Sequence, residues 1–389
     1  MKLTKLFSHF FISEKAGGLV LIICTLISLV LANSSAGEQY TAIWQTPMGS
    51  HSITHWINDG LMAIFFLLIG LELEREVYIG ELSSVRNAMF PTIAAVGGVI
   101  TPAAIYLMLN WGTAFQPGAG IPMATDIAFA IGVLSLMGNR VPANLKIFIT
   151  ALAVIDDLCA IIVIAIFYSS GVAWAWLGAA ALIFAGMLLM NRFKVNLLLP
   201  YLVAGAGLWY CMLHSGVHAT IAGVLTAFAI PFGNGDEKSI SYQLQHFLHK
   251  PVAFVIVPLF AMANTALYIA PGWQQQLQTS EALGIILGLV TGKPLGILLF
   301  TGIAVLLNIC SLPSGIKWKH IAGVSVLAGI GFTMSIFVAL LAFSHEEHIA
   351  IAKISIMMAS LIAACAGLLL LHFLLPQKGT ILPEEDEKD

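Results

Sequence analysis

From Ile147 to Tyr168 the sequence reads IFITALAVIDDLCAIIVIAIFY, 22 residues without a charge except two adjacent aspartates, Asp156 and Asp157, at the middle. As a helix this run spans roughly 33 Å, the depth of a bilayer's hydrocarbon core, so the carboxylates fall near the midplane. One ionised Asp at that depth costs about 2.5–3.5 kcal/mol even on lenient insertion scales, and a neighbouring carboxylate adds repulsion. Ionisable groups so placed mark an ion or proton pathway by default, and few architectures can hold them.

The rest of the chain agrees. Of its 389 residues 59% are hydrophobic and only 10% charged, where a soluble protein carries about a quarter charged, so this is an integral membrane protein. Its 17 basic and 20 acidic residues form no basic patch, which argues against a nucleic-acid partner. Cys24, Cys159, Cys211, Cys310 and Cys365 stand singly, without ligand or disulfide spacing, and nothing calls for a cofactor. The start, MKLTKLFSHFF before an apolar stretch, imitates a secretory signal. That stretch is long enough to span, and it follows an amphipathic turn suited to the membrane lipid interface, so it reads as the first helix. The chain is expected to form one transmembrane transporter domain over 1–389, with an acidic cytoplasmic tail over 378–389.

Apolar stretches predict an all-α protein of about twelve spans, near 13–32, 54–74, 88–109, 119–138, 145–168, 173–190, 196–213, 216–231, 247–268, 282–307, 320–343 and 350–375. With the N-terminus inside, the outer loops 33–53, 110–118, 169–172, 214–215, 269–281 and 344–349 contain no Lys or Arg. Of the 17 basic residues, all but Lys293 and Lys353 then belong to the inner side, which places both termini in the cytoplasm. The fourth span holds Pro122 and the pair Thr125/Asp126, and the eleventh holds Gly329, Gly331 and Thr333. Interrupted helices at matching positions of two halves point to a midplane site in transporters built from inverted repeats.

Six charged residues lie in or at the edge of spans: Asp59, Glu72, Asp126, Asp156, Asp157 and Lys293. Lys293 is central to its span, so a bridge from it to one of the paired carboxylates is allowed. Adjacent helical residues point about 100° apart, so the pair divides its labour, one carboxylate bridging Lys293 and the other facing a water-filled cavity. A carboxylate that titrates near neutrality exchanges protons and, when ionised, offers hard oxygen ligands to a small cation such as Na+, so the two compete. Two readings stand for Asp126, a cation ligand or a balance for positive half-helix ends, and two for Thr125, a ligand or a helix cap. Asp59 and Glu72 suit interfacial or cavity-lining roles. His218, His246 and His249 near the membrane boundaries are either solvated or pH sensors.

At these residues the chain resembles a known family. ATDIAFAIGVLSLMGNRVP around Asp126, ALAVIDDLCAIIVIAIFY around the pair, SGVHATIAGV around His218, GKPLGI around Lys293, GIGFTMSIF around Gly331 and WINDGLMAIFFLLIGLELERE around Asp59 and Glu72 are similar to the NhaA family of sodium/proton antiporters. That family is itself a known case of inverted repeats. The resemblance implies twelve helices in a bacterial plasma membrane, with spans four and eleven unwound and crossing at mid-depth. It implies that Asp157 is the principal ligand for the cation and the proton, and that Asp156 exchanges a salt bridge with Lys293. Thr125, Asp126, Gly331 and Thr333 would form the crossing, with Asp126 compensating helix dipoles. Na+ or Li+ would leave in exchange for a larger number of H+, driven by the membrane potential and switched on at alkaline pH.

Two features depart from the family pattern. SYQLQHFLH has Gln245 where a glutamate is expected, which touches the pH set-point. The first outer loop, where relatives form a dimer-contacting hairpin, is shortened to TPMGSHSITH, which leaves a homodimer through it open. Two other functions fit a membrane protein with buried carboxylates. Sodium-coupled uptake of an organic anion predicts uptake that rises with sodium. An intramembrane aspartyl protease would use Asp126 and one of the pair, two carboxyls from different elements sharing one proton.

Overall fold

The computed structural model describes residues 5–169 and 171–375; the tail expected over 378–389 lies outside them. Fourteen helices carry the fold: α1 Lys5–Ala32, α2 Gly37–Gln45, α3 Ile53–Tyr78, α4 Val85–Asn110, α5 Ile127–Ser135, α6 Ala143–Phe167, α7 Trp174–Arg192, α8 Leu198–Leu213, α9 Ile221–Ala229, α10 Ile240–Asn264, α11 Ser280–Leu306, α12 Trp318–Ala328, α13 Phe332–Ala342 and α14 Glu346–Leu374. Among the described residues eight helical segments are long and apolar enough to cross a membrane, and counting the two bent pairs α1/α2 and α12/α13 gives ten. The difference from twelve lies in α8 and α9, of 16 and 9 residues. At 1.5 Å per residue they reach about 24 and 14 Å, short of a full crossing.

Helix ends and irregularities follow from the sequence. Pro142 stands just before α6, where its missing N–H removes no helical bond. Wide π turns interrupt α3 at Trp56–Leu61, α10 at Val252–Ile256 and α11 at Gly288–Gly292. The latter two precede Pro258 and Pro294, which cannot bond the carbonyl four residues back, so the ladder widens there. The fourth span is a tight 3₁₀ helix over Gln116–Met123, an extended break and then α5. The eleventh breaks between α12 and α13, bending by 46°.

The shortened loop still forms a hairpin among the described residues, β1 Pro47–Met48 paired antiparallel with β2 His51–Ser52 in the register Pro47↔Ser52 and Met48↔His51. Gly49, first residue of its two-residue turn, has φ +74°, which glycine adopts without strain.

With little hydrophobic drive between helices in lipid, close backbone approach holds them. The tightest crossing joins α4 and α11, where a Cβ added to Gly296 would overlap the carbonyl of Gly97, and the reverse. Gly296→Ala is therefore expected to destabilise by about 1–3 kcal/mol, the range for overpacking, read as a lowered melting temperature in detergent. Gly302→Ala is the control, since nothing lies within 4 Å of a Cβ there; equal melting of the two variants would refute this account.

Candidate functional site

The two helix breaks are stitched to each other. Asp126 N donates to Ile330 O at 2.8 Å, the Ser335 hydroxyl donates to Ile121 O at 2.7 Å, and the Thr125 hydroxyl lies 2.9 Å from Ala328 O. Irregular backbone at membrane depth is tolerated only when enclosed by protein, and Thr125, Asp126, Ile330 and Ser335 are all buried. Gly331 belongs here because an added Cβ would overlap the Ser335 hydroxyl and press on Ala124 O.

Each broken end meets an opposite partner. Asp126, not Thr125, caps α5: its Oδ1 accepts from Phe129 N at 2.9 Å. Its Oδ2 accepts from Thr333 N at 2.9 Å and from the Thr333 hydroxyl, so one carboxylate serves the positive N-terminal ends of both α5 and α13. At the negative ends, Lys293 Nζ donates to Met123 O, the last carbonyl of the 3₁₀ segment, and Thr125 faces the last carbonyl of α12.

The aspartate pair is unequal. Lys293 Nζ lies 2.8 Å from Asp156 Oδ2, both side chains fully buried, and the Thr125 hydroxyl lies 2.7 Å from the same oxygen. With one proton, that hydroxyl donates either to Asp156 or to Ala328. Asp157, at 1% exposure, is as deeply enclosed, and its Oδ1 accepts no hydrogen bond among the described residues. A cleft beside Asp126 is lined by Glu72, Asp126, Val252, Val257 and Thr333, and it lies between α3, α5, α10 and α13.

The expected sensing residues fall into separate places. Glu72 is buried with Oε1 3.7 Å from His249 Nδ1, and Gln245 is buried one turn before that histidine. His246 instead faces outward beside Tyr242, apart from that pair. Asp59 lies in the π turn of α3, its Oδ2 3.2 Å from His55 Nε2, and His218 Nε2 is 3.1 Å from Tyr168 O. Sequence reasoning passed over His55, although its spacing of four residues from Asp59 signalled the pairing. It also passed over the buried Glu74 and Glu281.

A helical membrane protein whose buried centre joins paired carboxylates, one lysine and the ends of interrupted helices has the make-up of an ion-coupled transporter. Residues 8–371 match the family described as Na+/H+ antiporter 1, and the chain belongs to that family. It is 58% identical over 377 residues to a Na+/H+ antiporter NhaA of Cytophaga hutchinsonii, covering 97% of each chain. It is 59% identical over 375 residues to Na+/H+ antiporter NhaA 1 of Flavobacterium johnsoniae, covering 96% of this chain and 98% of that one. A Na+/H+ antiporter NhaA of Flavobacterium psychrophilum is 56% identical over 386 residues, covering 99% of this chain and all of the relative.

Proposed function

We propose that this chain is a secondary active transporter that moves Na+ out of the cell in exchange for H+, with Asp157 as the shared ligand. One observation supports this reading above others: Asp156 holds Lys293 and Thr125 through one oxygen and Asp126 is bonded through both, whereas the Asp157 carboxylate makes no hydrogen bond or ion pair among the described residues. A buried carboxylate without a partner holds either a proton or a cation, and that competition is the coupling. Asp156 is the switching partner: when Na+ draws on both carboxylates, Lys293 is released, and when Na+ leaves, the bridge closes again. If two or more protons enter for each Na+, every cycle moves net charge, worth about 2.3 kcal/mol per charge per 100 mV.

The same reading extends to a single domain of twelve spans in inverted repeats, α8 and α9 completing the count, with the breaks crossing at mid-depth. It places the protein in a bacterial inner membrane with both termini cytoplasmic, as the basic residues favour. Li+ is carried as well as Na+, exchange rises at alkaline pH, and Glu72, His249, Asp59 and His218 are the groups through which pH acts. The hairpin at β1 and β2 is where a second copy would dock.

Purified protein in liposomes containing a pH-sensitive dye tests this. Na+ and Li+, but not K+, should drive proton movement that increases from neutral to alkaline pH, and imposing a membrane potential should change the rate. No cation-dependent proton flux would refute the proposal. Uptake of an organic anion that rises with sodium would favour the alternative.

A further inference from the structure

A second buried acid lies outside the centre just described. Glu281 is the second residue of α11, and Thr279 already caps this helix by accepting from Ala282 N. The Glu281 side chain is 0% exposed, and neither carboxylate oxygen accepts a hydrogen bond among the described residues. The cation within reach is a protonated His348, in the first turn of α14, whose Nδ1 lies 3.4 Å from Glu281 Oε2. The His348 side chain is 26% exposed, so protons reach it from solvent although they do not reach Glu281 directly.

The imidazole is also where several outer ends converge. Its ring packs edge-on to Phe115 at 5.0 Å and 82°, and against Phe343 at 6.0 Å and His345 at 5.8 Å. Phe115 leads into the 3₁₀ segment and Phe343 closes α13, so one ring touches the outer end of both interrupted spans. Its acidic partner begins the helix that carries Lys293.

We propose that Glu281 and His348 form a proton-binding latch at the outer end of the bundle, one shared proton holding the start of α11 against the start of α14. With that proton the pair is neutral overall, either as carboxylate and imidazolium or as acid and imidazole. Without it, a bare carboxylate is left fully buried, which the surroundings do not support. The neighbouring charges work the same way. Glu347 on α14 adds repulsion, and Glu346 and His345 beside it are exposed. Tyr106 of α4 spends its hydroxyl proton on Phe115 O, Lys353 further along α14 bonds Asn264, and no ionisable group stands on the 3₁₀ segment. Rising pH therefore opens the latch and frees the ends of both broken spans. The outer placement rests on the orientation proposed above, whereas the latch itself does not depend on ion coupling at Asp157.

Hydrogen–deuterium exchange of the full chain in detergent, without Na+ and corrected for intrinsic exchange rates, tests this. Peptides covering 276–284 and 343–350 should lose protection together in one step as pH rises. Glu281→Gln and His348→Gln should each remove that step, and the double variant should match either single one. A wild-type chain without a common step overturns the proposal, as does a Glu281→Gln protein that keeps it. Should a variant fail to fold, the wild-type step still decides. Asp157→Asn leaves the readout intact, so the latch and the transport proposal fail separately.

Discussion

Asp157→Asn is expected to lower Na+-dependent proton flux to that of empty liposomes while leaving the protein at least as heat-stable as before. The substitution keeps size and shape but removes the negative charge, and an amide can neither release a proton nor neutralise a cation. Its neighbours give it no structural duty: the Asp157 Oδ1 accepts no hydrogen bond among the described residues, whereas Asp156 holds Lys293 and Asp126 holds two helix ends. Removing an enclosed charge without a fixed partner relieves a desolvation cost, so melting should not fall. Liposome flux and melting measured on the same preparation check both halves. Residual Na+-driven flux would move the ligand role to another carboxylate, and a large loss of melting temperature would show a structural role instead.

Lys293→Met is expected to act oppositely on stability, lowering it by about 3–5 kcal/mol, the range for breaking one partner out of a buried ion pair. The lysine is fully buried and serves Asp156 and the Met123 carbonyl at once, so its removal strands a charge and a carbonyl together. Adding Asp156→Asn should recover a large part of the loss, because replacing both members of a buried pair is often nearly neutral. A double-mutant cycle on melting temperatures measures the coupling. Additive losses would show that the two side chains are not an ion pair, whatever their distance.

The difference between these outcomes was only half legible in the sequence. Asp156, Asp157 and Lys293 were visible because a charge inside an apolar run cannot be mistaken, and the family motifs led to the same residues. Which aspartate meets the lysine depends on how α6 is rotated, and helical periodicity does not encode rotation against a neighbour 137 residues away. Asp126 as a balance for positive half-helix ends was one of two readings open in the sequence, but its partners were not legible, because the second helix end, at Thr333, comes from the other half of the chain. Glu281 was assigned to an outer loop because the loop boundary was drawn two residues too late; the apolar run directly after it was the available signal. The π turns at Val252–Ile256 and Gly288–Gly292 left a trace in the prolines that follow, but a widened turn shifts the hydrophobic stripe too little to show in an almost uniformly apolar helix.

The bare contact between Gly97 and Gly296 has a mechanical consequence. Two backbones already touching leave no room for α4 and α11 to draw closer, yet without side chains to interlock they let one helix tilt on the other. Gly296 lies three residues beyond Lys293, and the widened turn at Gly288–Gly292 ends immediately before it. The lysine is thus mounted on a short lever, with a fulcrum on one side and a compliant joint on the other. A small rocking of α11 can swing its ammonium group away from Asp156 while the rest of the bundle stays still.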